Sequence, residues 1–152
     1  MLFPLLKWLH ILAAIVAVGA NATYGIWLAR ASRNTEALPF TLRTIKLIDD
    51  WLANPAYASQ LVTGLLMVFV LPLPLTTPWL LTALILYGIL VLVGLGGYTP
   101  TLRRQIQLLD REGFQSTAYQ ALARRGTILG IILAVLAITI VFLMVVKPAL
   151  WA

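Results

Sequence analysis

The chain reads as an all-α integral membrane protein, a four-helix bundle with both termini outside and short amphipathic helices in its cytoplasmic connections. Three observations carry that reading. The composition is 61% hydrophobic and only 11% charged, with a mean hydropathy of +0.95, far from what a soluble domain uses. Three stretches, Trp8 to Ala29, Trp51 to Leu102 and Gly126 to Val146, contain no Asp, Glu, Lys or Arg. The middle stretch is long enough to cross a bilayer twice, and Pro72, Pro74 and Pro78 break it near its centre. One domain over residues 1–152 accounts for the length.

The first span is expected near Leu5 to Leu28. Lys7 ahead of an apolar run resembles a signal peptide, but the run is too long for a signal core, so the first helix reads as uncleaved. The second span is expected from Pro55 to Leu71, with Asn54-Pro55 as its cap and first turn. Pro78 opens a third span that runs to Tyr98, and Thr127 to Val146 forms the fourth. In the first connection Phe40, Leu47, Ile48, Trp51 and Leu52 recur at helical spacing among Arg43, Lys46, Asp49 and Asp50, the pattern of a helix lying on the membrane surface. In the third connection Thr99-Pro100 opens a short helix that Gly113 ends, and Ser116 or Thr117 caps the helix that leads into the fourth span.

Orientation follows from the cations. Arg30, Arg33, Arg43, Lys46, Arg103, Arg104, Arg111, Arg124 and Arg125 all fall in the first and third connections, whereas Lys7 and Lys147 stand alone at the other side. The positive-inside rule makes the long connections of this multi-pass chain cytoplasmic and puts both termini outside. Trp8, Trp79 and Trp151 then fall at the outer interface, and Trp27 and Trp51 at the inner one. The net charge of +6 is thereby used in topology and lipid-head contact, and nucleic acid is excluded as a partner. Cys is absent, which removes disulfides and thiolate chemistry.

His10, the single histidine, lies inside the first span, where an ionisable side chain points to function or to a polar partner. A neutral imidazole can ligate haem iron or another metal, and Met67 and Met144, at comparable depth, offer thioethers as second ligands. The competing reading is a hydrogen bond from His10 to a neighbouring helix. Asn21 lies about three turns further along the same face, with Ala14, Ala17 and Gly25, and reads as interhelical glue on a small-residue seam. Gly126, Gly130 and Ala134 in the fourth span, and Gln60, Thr63, Gly64 and Met67 in the second, are its expected partners. Tyr87 in the third span is placed to donate to Asn21 or to a ligand. All five acids fall in connections, which argues against an intramembrane carboxylate relay.

The segments KWLHILAAIVAVGANATYGIWLARA, PAYASQLVTGLLMV, ALARRG and MVVKPAL, taken in order, resemble an uncharacterised bacterial family of small four-helix integral membrane proteins. The opening Lys7, Leu9 and His10 are more distantly similar to the K-x-L-H pattern of CopD-like copper-resistance proteins and four-helix protoporphyrinogen oxidases. That second resemblance implies haem or copper held near helix ends, and His10 is the residue that carries over. Two classes of function follow. One is a structural, accessory or ligand-binding bundle, with haem b on His10 or with membrane-complex subunits or further copies of itself as partners. The other is a redox enzyme acting on a porphyrin or quinone.

Overall fold

A computed structural model describes residues 1–151, and among them there are six α-helices and no strand. Helix α1 spans Leu2–Ala31; α2, Leu38–Ile48; α3, Asn54–Val70; α4, Pro78–Val93; α5, Thr99–Glu112; and α6, Thr117–Val146. A π-helical turn, Asp49–Ala53, fuses α2 to α3, and a second, Gly94–Tyr98, fuses α4 to α5. The continuous rods Thr35–Val70 and Pro78–Glu112 therefore measure roughly 50 Å, about 20 Å more than a bilayer's hydrocarbon core. All four rods are long and apolar enough to cross a membrane.

Proline explains both π turns. Pro55 and Pro100 lack an N–H, and their rings crowd the carbonyl four residues back. Immediately before each one the backbone widens, so that Asn54 N–H bonds the Asp49 carbonyl and Thr99 N–H bonds the Gly94 carbonyl. Asn54-Pro55 and Thr99-Pro100 thus continue helices where the sequence suggested that they begin them. The amphipathic segment of the first connection is α2, but it is held by the bundle: Leu38, Thr41, Leu42 and Ile45 are buried while Phe40, Leu47 and Trp51 are exposed. Gly113 ends α5 at φ 76°, and Ser116 caps α6 by accepting from Tyr119 N–H at 3.1 Å.

The bundle is two helix pairs, α1 on α3 and α4 on α6. Consecutive α3 and α4 hardly touch, and α1 meets α6 over a short length only. What joins the pairs lies mostly at the arginine-rich end, where α2 packs on α5 and a core of Tyr24, Leu42, Ile45, Tyr98, Leu102 and Tyr119 draws on five helices or turns. At the opposite end Lys147 sits 5.2 Å above the Trp79 ring. Large apolar side chains cover the exterior of every rod, as a lipid-facing surface requires.

Candidate functional site

His10 is half-buried between α1 and α3. Its Nδ1 lies 3.1 Å from Thr63 Oγ1, and that hydroxyl donates its one proton to the Ser59 carbonyl at 2.7 Å. With that proton on the carbonyl, the tautomer that completes the contact carries its proton on Nδ1 and leaves Nε2 with a lone pair. The ring rests on Gly64, whose missing side chain makes the space: a Cβ there would lie 3.1 Å from His10 Cε1. Met67 follows one turn along α3, whereas Met144 packs among Ile140 and Leu143 in the other helix pair. His10 and Thr63 are thus brought together, while Met144 belongs to a separate part of the core. No cluster of three or more His, Asp or Glu suited to a metal occurs among the described residues.

A second polar group lies deeper. Asn21 Nδ2 donates to Tyr57 Oη at 2.8 Å and to the Ala17 carbonyl at 3.2 Å, and Tyr87 Oη donates to the Tyr57 carbonyl at 2.6 Å. Tyr57 therefore stands between the two residues expected to meet, and it ties α1 and α4 to α3. Gln60 lines a narrow gap of about 10 Å³ together with Tyr57 and Tyr87. Tyr57 was legible as the next member of the face Gln60, Gly64 and Met67, at spacings of three and four.

The third group bridges the two π turns. Asp49 is 5% exposed and its Oδ2 accepts from Thr99 Oγ1 at 3.1 Å and from Asn54 Nδ2 at 3.3 Å. Lys46 pairs instead with Asp50. A carboxylate in a connection is thus part of the core, on the face Leu38, Leu42, Ile45 and Asp49, whose helical spacing is the signal that finds it.

Between α1 and α6 lies a cavity of about 670 Å³. Gly126, Gly130 and Ala134 of α6 line it, opposite Ala22, Gly25 and Ala29 of α1. The small residues expected to form a close α1–α6 seam instead leave it open, and the rim residues Ala22, Gly25, Ala29 and Ala134 are exposed, so the cleft opens sideways. Of the expected α1 seam, Ala17 is buried and Ala14 half-buried, whereas Gly25 lies open on the cleft. Four tyrosines, Tyr24, Tyr57, Tyr98 and Tyr119, contribute to the cleft wall with Asn21 and Gln105. Tyr24 is 4% exposed, and its hydroxyl is the single buried side-chain polar atom without a partner among the described residues. No charged side chain lines the cleft.

Residues 4–148 match the family model described as predicted integral membrane protein (DUF2269), and the chain belongs to that family, whose function is unknown. Neither the curated proteins nor the solved structures contain a match.

Proposed function

We propose that this member of the predicted integral membrane protein family binds a lipophilic small molecule in the α1–α6 cleft, admitting it sideways from the bilayer. The observation that carries the reading is the cavity of about 670 Å³ itself, open along its small-residue rim and lined by no charged side chain. An unfilled cleft of this size forgoes the dispersion contacts that protein interiors normally make. A ligand restores those contacts, and the volume falls in the range of roughly 300–1,000 Å³ found for small-molecule sites. Purified protein in mild detergent is expected to be thermally stabilised by added lipophiles, and Ala134→Phe, which fills the cleft from its rim, is expected to abolish the response. Equal stabilisation of both proteins would refute the site.

The same reading takes the membrane to be a bacterial inner membrane and puts both termini outside it, the latter because nine of its eleven cations gather at the end that holds the two long connections. Further membrane subunits, or a second copy, would meet the exposed apolar surface. A second reading rests on the His10 tautomer. Metal-bound histidines characteristically donate their other ring N–H to a fixed acceptor, and with Nδ1 protonated toward Thr63 the Nε2 atom would be free to ligate haem b or a metal ion, with Met67 as the nearest thioether along α3. Haem added to the apoprotein should give a Soret band that His10→Ala removes. Absence of the band in the native protein would dismiss this second reading.

A further inference from the structure

We infer that the occupant of the α1–α6 cleft is an anionic phospholipid from the leaflet at the arginine-rich end, with one acyl chain in the cleft and its phosphate held at the mouth between Arg33 and Arg124. The inference rests on the cleft being a lipophile site and adds the chemistry of what fills it. The cleft wall carries no charged side chain, and its rim is open along α1 and α6. Such a wall accepts an apolar chain and rejects a charged head. The head of an amphiphile therefore stays outside, at the end of the cleft that offers it a partner.

Helical geometry identifies that end. On α6, the exposed residues Thr127, Ile131 and Ile138 form one edge of the cleft, and Arg124, three residues before Thr127 and seven before Ile131, extends that edge by one turn. On α1, Ala22 and Ala29 form the facing edge. Arg33 comes four residues after Ala29, in the turn that closes the helix, between the cleft residues Ser32 and Thr35. Both arginines are exposed, and neither has a carboxylate partner among the described residues. The cations of α2 differ, since Arg43 pairs with Asp110 and Lys46 with Asp50.

Neighbouring hydroxyls are already used. Ser32 donates to the Ala29 carbonyl at 2.9 Å and Thr127 to the Ala123 carbonyl at 3.0 Å, which leaves the two guanidiniums as the unpaired charged donors at the mouth. Guanidinium forks match phosphate oxygens in geometry as well as charge, so one phosphate can bridge the two lips. The dimensions agree. From Thr127 to Ile138 the uncharged edge of α6 runs roughly 16 Å at helical rise, about one leaflet of a hydrocarbon core of roughly 30 Å. One chain lies along that length, and the sideways opening lets the second chain of the same lipid remain in the bilayer.

The test uses the whole protein in mixed micelles with three probes: dioleoylphosphatidylglycerol; dioleoylphosphatidylcholine, which has the same chains but no net charge; and glycerol phosphate, which has no chain. Phosphatidylglycerol should bind best and raise Tm most. Arg33→Gln together with Arg124→Gln should weaken it about twenty- to thirtyfold, about fivefold for each arginine, and change phosphatidylcholine far less. A control pair, Arg103→Gln with Arg111→Gln, removes the same charge from the side of α5 turned away from Leu102 and Gln105, and should bind phosphatidylglycerol as the native protein does. All four side chains are exposed, so both lipid-free variants should melt as the native protein does, which separates lost binding from lost folding. Ala134→Phe should remove the binding of both lipids. If the two lipids bind alike, or the control pair weakens phosphatidylglycerol as much as the cleft pair, the headgroup assignment is overturned while the cleft remains a lipophile site. Glycerol phosphate stabilising the protein as strongly as phosphatidylglycerol would overturn the place of the acyl chain. If neither lipid binds, or Ala134→Phe leaves both unaffected, the cleft reading itself falls.

Discussion

Replacing Asp49 tests whether the two proline-linked π turns are held as one unit. In the native protein its carboxylate takes the Thr99 hydroxyl at 3.1 Å and the Asn54 amide at 3.3 Å, deep in the junction between the helix pairs. Asp49→Ala strands both donors. Thr99 is buried, so its hydroxyl loses its partner without gaining water, at about 1–3 kcal/mol. Asn54 is half-buried and can turn toward solvent, so its share is about 1 kcal/mol. The sum is a destabilisation of about 2–4 kcal/mol. Asp49→Asn keeps the size and one acceptor oxygen while removing a charge from the interior, so it should cost less than about 1 kcal/mol. Reversible unfolding in mixed micelles measures both, and Thr99→Val in the Asp49→Ala background should add less than it does alone, because the two share one bond. Additive losses, or Asp49→Asn as damaging as Asp49→Ala, would refute the bridge.

Other perturbations probe the remaining contacts. Gly64→Ala should destabilise by about 1 kcal/mol, since the new methyl would sit 3.1 Å from His10 Cε1 while Thr63 holds the ring in place; in a His10→Ala background the same change should be neutral or stabilising. Asp110→Asn removes the Arg43–Asp110 pair at 2.8 Å, yet both side chains are largely in water, so its unfolding midpoint should match the native protein within the equivalent of about 0.5 kcal/mol. Cysteine introduced at Leu75, in the proline turn, should react with an impermeant maleimide in intact cells, and cysteine at Gln115 only after permeabilisation; the reverse pattern would invert the topology.

The four spans were legible because bilayer thickness imposes a minimum apolar run, and Pro72, Pro74 and Pro78 leave one place to divide the long one. Their lengths were less so. Charges mark where the membrane ends and leave the helix free to continue, which is why α1 runs on to Ala31 and α6 begins at Thr117, well before the charge-free stretch. The polar pairs were half legible. His10, Asn21, Thr63 and Tyr87 stood out as polar groups in apolar surroundings, but which of them would meet depends on rotation and offset between helices, and Tyr57 intervened. Asp49 escaped notice because hydropathy assigns a carboxylate to a connection, whereas the α2 periodicity assigns it to the core.

The cleft was the hardest feature to foresee, and its cause is instructive. Glycine and alanine on two helices permit close approach but do not compel it, because lipid fills the space between separated helices as readily as a neighbour does. What decides the spacing is the bulk at the same level. Along α1, Ala13 and Ala17 face α3 without an aromatic between them, and the helices close. One to two turns further on, Tyr24, Tyr98 and Tyr119 share one buried cluster where α1, α5 and α6 converge, and three phenol rings act as a wedge that holds α1 off Gly126 and Gly130. The Gly130 Cα faces the Tyr98 ring, and Gly126 faces Gln105, so the small residues of α6 are occupied in seating the wedge and leave the α1 side unfilled. The rings that prop the helices apart therefore also wall the gap, and an occupant restores the missing contacts without requiring the helices to move.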